Sequence, residues 1–401
     1  LAQTTSLISV QKNIEWFFGL GLQVIGVIFG ARLIVDTGAR MIFPFIPQIA
    51  QGLDLSVVAF SWLIFVRGIV GISSPFFGYW ADRYGRRKIM AVGLFLQGLG
   101  ALVFLFTRQW WALTPMILFG LSATAFLPAQ QAYISDRVSY QRRGRALGAI
   151  EFSWAVTSIL ILPVVGWMLV AYGWLSPFAV VAVLSLVGAV AVWRYLPPVA
   201  EHHAQAQLSW LELRHLAAKP NVLAATAVAM LVLTAIACFT TIWGIWLGAN
   251  FKLEPVTIGL VATGIGLAEL LGSGVSSLFI DRIGPRRGGG LGLLLAAAVL
   301  FCLPLTQATL FLAITTLIVI ALLLEFSVVS LVPLYADQAP EARATIFSLT
   351  LFGGAIGWAV GPPLTATIWE QTGLVGVCLV AALAIILALS LMWIFLHQAK
   401  T

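Results

Sequence analysis

Charge is what this sequence has least of. Asp, Glu, Lys and Arg together supply 37 of 401 residues, 9% of the chain, against roughly a quarter in soluble domains. With 61% hydrophobic residues and a mean hydropathy of +1.01, there is too little polar surface to coat a soluble core of this size. Cysteine is scarce as well. Cys238, Cys302 and Cys378 stand far apart inside apolar stretches, which argues against a disulfide framework or a thiolate metal site. The four histidines offer no catalytic grouping: His202, His203 and His215 crowd one polar stretch, and His397 lies near the end. The Gly-rich "GPRRGGG" (284–290) lacks the Gly-Lys-Ser/Thr of a nucleotide-binding loop. Enzyme chemistry and ATP-driven work find no support, and neither a cofactor nor a metal is expected.

What is abundant is uncharged apolar chain. Ile89–Thr107, Gln109–Ser135, Asn221–Phe251, Ala344–Trp369 and Gln371–Ala399 contain no Asp, Glu, Lys or Arg, and each is long enough for the ~20 residues that a helix needs to cross a bilayer. Two longer uncharged runs, Phe152–Trp193 and Gly288–Leu324, are broken by the turn signals "AYGWLSP" and "LPLTQ" and therefore read as parts of two spans each. The alternation of a transmembrane barrel is missing. The expected fold is an all-α integral membrane protein with twelve transmembrane helices in two pseudo-symmetric six-helix bundles. The spans fall at about 24–49, 56–80, 88–107, 112–134, 146–170, 177–195, 221–249, 257–279, 289–305, 309–335, 344–369 and 374–396. The domain reading follows: an N-terminal segment 1–23 able to lie along the membrane surface, a bundle 24–195, a linker 196–220, a bundle 221–396 and a tail 397–401. The chain starts at Leu1 without a legible cleavable leader, so a processed form is expected.

On this map seventeen of the 22 Lys and Arg lie on the side of the termini and the even-numbered loops, and only Arg108 and Lys252 on the other. The positive-inside rule then makes both termini cytoplasmic, most simply in a cell inner membrane. The net charge of +7 is thus a topological signal, and nucleic acid is not an expected partner; the lipid bilayer is.

The scarce charge is also concentrated. "GYWADRYGRRK" (78–88) holds one acid and four bases, and "LFIDRIGPRR" (278–287) repeats its Asp-Arg-x-Gly-x-Arg, with Asp82 and Asp281 199 residues apart. Asp136/Arg142 recur as Asp337/Arg343 at an offset of 201, and Pro163 recurs as Pro362 at 199. These offsets imply two homologous halves in parallel.

The first of these stretches resembles the loop 2–3 signature of the major facilitator superfamily, G-x-L-A-D-R-x-G-R-[RK]-[RK], with Trp80 in place of Leu. The resemblance covers essentially the whole chain. It implies a transporter, with Asp82 at the end of span two facing the N-terminus of span eleven as a gate latch, and Arg86 or Arg87 pairing with Asp136. Gly78, Arg83, Gly85 and, in the second copy, Asp281 and Arg282 complete the gating set that the resemblance implies. "VDTGARMIFPFIPQIAQGLDLS" (35–56) further resembles the first helix of the twelve-span drug-antiporter branch. Two departures stand out. Met116 replaces that branch's span-four Arg, and of its span-five signature only Pro163 and Gly166 remain.

Charges inside spans need a reason, since each costs on the order of 3 kcal/mol or more at the bilayer centre. Arg32, Asp36 and Arg40 follow one another at i, i+4, i+8 on one face of span one. Arg32 and Glu151 read as packing charges. Asp36, Arg40, Arg67, Glu269 and Glu325 are the ion-coupling candidates. Asp36 between two bases would be held ionised, whereas Glu269 and Glu325 have no base near in sequence and make better proton carriers, unless Arg67 or Arg40 reaches across. The resemblance puts spans one, four, seven and ten around a central cavity. Phe43, Phe239, Trp243 and Trp246, with the amides of Gln130 and Gln131, are its expected lining, favouring an amphipathic solute. The expected function is a secondary transporter working by alternating access, with efflux exchanged for protons. A lipid or lysolipid translocator and a transport-defective sensor are the alternatives on the same fold.

Overall fold

The computed structural model describes residues 19–198 and 218–398. Most of the segment 1–23 and most of the linker, with His202, His203 and His215, lie outside the described residues. The described residues form helices and short connections, with no strand among them.

The first bundle comprises α1 (Leu22–Gly52), α2 (57–84), α3 (Arg86–Phe104), α4 (Leu113–Arg137), α5 (140–172) and α6 (Ser176–Tyr195). The second comprises α7 (Pro220–Phe251), α8 (Pro255–Ile283), α9 (Pro285–Cys302), α10 (Leu310–Ala336) and a last run, Arg343–Phe395. Among the described residues ten helices are each long and apolar enough to cross a membrane, and the two arms of α2, bent by 49°, make an eleventh. The last run is 53 residues long, so it would extend for roughly 80 Å against a hydrocarbon core of about 30 Å. Gly373, at φ 66° and ψ −156°, breaks it into α11 (343–372) and α12 (374–395). That completes twelve spans.

The backbone carries the internal repeat. Gly85 (φ 95°, ψ 132°) turns the chain between α2 and α3, and Gly284 (φ 87°, ψ 138°) does the same between α8 and α9. The connections after α5 and α11 bend on Gly173 (φ 86°) and Gly373, and those after α1 and α7 on Asp54 (φ 57°) and Lys252 (φ 54°). These pairs are 198–200 residues apart. Left-handed residues are few, because most side chains disfavour them. Their recurrence at one period therefore marks equivalent loops in the two halves.

Among the described residues the closest glycine contacts between the bundles run from the end away from the Asp82 loop to the middle. At the end away from the Asp82 loop, a Cβ on Gly244 of α7 would lie 2.3 Å from the Pro44 carbonyl oxygen of α1. One on Gly166 of α5 would lie 2.3 Å from the Pro255 carbonyl of α8, and one on Gly259 would lie 2.7 Å from that of Leu162. Nearer the middle, Gly68 of α2 meets Ala359 of α11 in the same way. At the Asp82 end, Gly144 and Gly148 of α5 and Gly274 of α8 meet nothing within 4 Å. The packing of α11 on α2 likewise follows Val57–Ile69 and fades along Ser74–Tyr84. The two halves form a V, sealed at one end and parted at the basic end.

Candidate functional site

α1 carries the site because its charges face inward; Arg32, Asp36 and Arg40 are 6%, 2% and 6% exposed. Their partners divide into two groups. In the first, Arg32 gathers three acceptors. Its Nε donates to Asp36 Oδ1 at 2.8 Å, its Nη1 to Gln130 Oε1 at 3.0 Å, and Nη1 and Nη2 to the two carboxylate oxygens of Glu151 at 2.9 and 2.8 Å. Ser153 Oγ donates to Asp36 Oδ2 at 2.5 Å. One base thus ties α1 to α4 and α5 and neutralises a carboxylate that could not stay buried alone. Glu151 is the open edge of this group, with its side chain 46% exposed.

The second group joins the halves. Arg40 Nη2 donates to both carboxylate oxygens of Glu269 on α8 at 2.6 Å. Its guanidinium also lies 4.4 Å from the ring centroid of Trp154 on α5, a favourable placement of a cation over an indole. Arg40 Nη1 and Ser158 Oγ have no hydrogen-bond partner among the described residues, and both residues border a cavity of about 20 Å³, room for about one water. Phe43, Phe239 and Trp243 form its apolar wall. One turn beyond Glu269, Gly272 lets α10 approach so closely that a Cβ would lie 2.5 Å from the Leu322 carbonyl and 3.3 Å from Glu325 Cβ. Glu325 is thereby within electrostatic reach of both Glu269 and Arg40.

Several expectations change on this geometry. Arg40 reaches across to Glu269, so of these two candidates Glu269 is paired and Glu325 has no ion pair among the described residues. Asp36 is bound by Arg32 and not by Arg40. Among the described residues Arg67 meets no acid: its Nη1 donates to the Ala39 carbonyl at 3.3 Å and its guanidinium stands 5.9 Å from the Phe119 ring. Trp246 does not line the cavity. It is 1% exposed and packs edge-on against Phe251, ring centroids 5.7 Å apart. Gln130 belongs to the Arg32 group, while its neighbour Gln131, on another face of α4, is exposed. Ser153, Trp154 and Ser158 were not singled out from sequence; small and aromatic residues on an apolar helix carry no signal until the neighbouring helix is known.

At the basic end, Arg86 Nε pairs with Asp136 at 2.8 Å and its Nη2 with Asp82 at 3.4 Å. Arg87 donates to the Leu196 carbonyl at 2.9 Å and lies over Trp193. Arg83 and Arg282 are exposed, and Gly78 has open space where a Cβ would go. The side chain of Asp281 lies outside those described.

The family model described as "Major Facilitator Superfamily" matches residues 28–246 and 225–401. Multidrug resistance protein 2 of Bacillus subtilis is 32% identical over 155 residues, 38% of each chain. Multidrug resistance protein MdtG of Escherichia fergusonii is 26% identical over 388 residues, covering 91% of this chain and 92% of that one. Among solved structures, a bacterial homologue of the human lysosomal transporter Spinster, inward-facing and occupied, superposes with a TM-score of 0.75 at 14% identity, covering 92% of this chain and 95% of the other.

Proposed function

The chain belongs to the Major Facilitator Superfamily, and from that premise we propose that it exports a small amphipathic solute in exchange for protons, exposing a midplane site to each side in turn. The Arg40–Glu269 bridge carries this reading, because it lies on the seam between the halves. Opening the sealed end moves α1 away from α8. Breaking a buried pair without replacement costs on the order of 3–5 kcal/mol. A proton on Glu269 removes one of the two charges and lowers that cost, so opening is linked to protonation. Glu325 completes the linkage. It competes with Glu269 for a single guanidinium, so the carboxylate without Arg40 is the one that takes up a proton, and the roles exchange when the bridge moves.

The other parts fit the same cycle. Phe43, Phe239 and Trp243 give the solute an apolar wall, and the Arg32 group, with half-exposed Glu151, gives a polar edge. The parted basic end is the cytoplasmic entrance by the distribution of Lys and Arg. Asp82, Arg86 and Asp136 form one side of a latch; closing that end would bring the Asp82 carboxylate toward the first turn of α11, where helix amides favour negative charge. The relatives' printed names, multidrug resistance proteins, favour export.

The test uses proteoliposomes with an imposed proton gradient and an amphipathic fluorescent dye. Wild type should move dye against its gradient. Glu325→Gln should lose the gradient-driven movement yet keep dye-for-dye exchange. Dye movement in wild type that ignores the proton gradient would overturn the reading.

A further inference from the structure

A second cavity lies away from the central site, opening sideways between α9 and α12 with a volume of about 640 Å³. Its origin is local. At Gly290 the two helices touch, since a Cβ there would lie 3.0 Å from Met392 Cε and 3.3 Å from the Trp393 ring. Beyond that contact the walls are Leu291 and Leu294 of α9 and Ile386 and Ile394 of α12, all between 49% and 64% exposed. Ser390, small and also exposed, leaves the centre hollow. Two features distinguish this groove from a chance gap between spans. Its basic-end mouth is marked by Arg287, which is exposed and pairs with no carboxylate among the described residues. Next to it, Arg286 is fixed: its Nη2 donates to the Trp393 carbonyl at 2.7 Å, and its guanidinium lies 4.7 Å from the Trp393 ring. An indole is thereby held at the groove's mouth, at the depth where indoles favour the headgroup boundary. One arginine builds the wall and the next is left for something else.

The surroundings decide what fills such a groove. It faces hydrocarbon along its length, so its occupant is an acyl chain, and the charge at its mouth selects the headgroup. We propose that the α9–α12 groove is a binding site for an anionic phospholipid, its chain lying along Leu291, Leu294 and Ile394 and its headgroup on Arg287. The site stands outside the transport pathway and does not depend on what is transported.

Native mass spectrometry of the full chain in detergent, titrated with phosphatidylglycerol or phosphatidylcholine of matched chains, tests it. Wild type should retain one phosphatidylglycerol with about fivefold preference, the scale of one basic side chain at an anionic surface. Arg287→Gln should bring the two lipids level, and Ser390→Trp, which fills the hollow from a lipid-facing position, should weaken both. Equal retention in wild type would overturn the proposal, as would a preference that either variant leaves intact. A dimer that Ser390→Trp dissolves would instead assign the groove to a second copy and overturn it too. Where a variant does not fold, quenching of tryptophan fluorescence by brominated phosphatidylglycerol gives a second readout. Quenching should fall in Trp393→Phe; unchanged quenching counts against the site.

Discussion

Arg32 ties Asp36, Gln130 and Glu151 together from three helices, and the consequences of removing each member differ in size. Arg32→Met strands the Asp36 carboxylate, 2% exposed, with only Ser153 to hold it, so a loss of about 3–5 kcal/mol is expected. Adding Asp36→Leu to that variant should restore much of the loss, because the unpaired charge goes with it. Glu151→Gln should cost under about 1 kcal/mol, since its side chain is 46% exposed and water screens the pair. Denaturation of the three variants in detergent checks the order; equal losses would show that the group does not act through the buried charge. At this scale sequence was informative about which residues matter and silent on which meet. The i, i+4 spacing brought Arg32 and Asp36 together on paper, and the same spacing suggested Asp36–Arg40, which does not form. Arg40 and Glu269 are 229 positions apart, and nothing local announces such a pair. Trp246 was misplaced because an aromatic three residues after Trp243 shares its helix face, and only the packing of Phe251 shows that this position is covered.

Among the elements, α5 shows how a chain solves a problem of its own making. Pro163 has no N–H to offer the Ile159 carbonyl four residues earlier, and the helix widens over Thr157–Ile161 into a π turn. The freed carbonyl accepts from Thr263 Oγ1 on α8 at 3.0 Å, so a defect in one half is satisfied by the other. Thr263→Val should cost about 1–3 kcal/mol by leaving that carbonyl without a partner, while Thr263→Ser should be tolerated; equal melting of the two variants would count against the bond. The spans themselves were legible from uncharged runs and turn residues. The π turn was not, since proline in a helix gives a bend without revealing what caps it.

For the whole molecule, the V predicts which positions react. In a Cys302→Ser background, because Cys302 is exposed, Gly148→Cys and Gly274→Cys should label with a membrane-impermeant thiol reagent applied from the basic-loop side, and Lys252→Cys only from the opposite side. The reverse pattern would invert the orientation. Gly244→Ala sets a Cβ 2.3 Å from the Pro44 carbonyl. Overpacking of about 1–3 kcal/mol should then pry the sealed end open and reduce labelling at Gly148→Cys. The two-half architecture was readable from repeated motifs, but the direction in which the V opens was not, because the same residues serve both states. The sealed face has one more consequence. Between α5 and α6 it exposes only a three-residue link, between α7 and α8 another three, and between α11 and α12 the single residue Gly373. A protease or an antibody reaching that face therefore meets mainly two links, 105–112 between α3 and α4 and 303–309 between α9 and α10, where Phe106, Trp111 and Leu305 are exposed. Reagents directed at that face should recognise these two links, and tags for display there belong in them rather than in the tight turns.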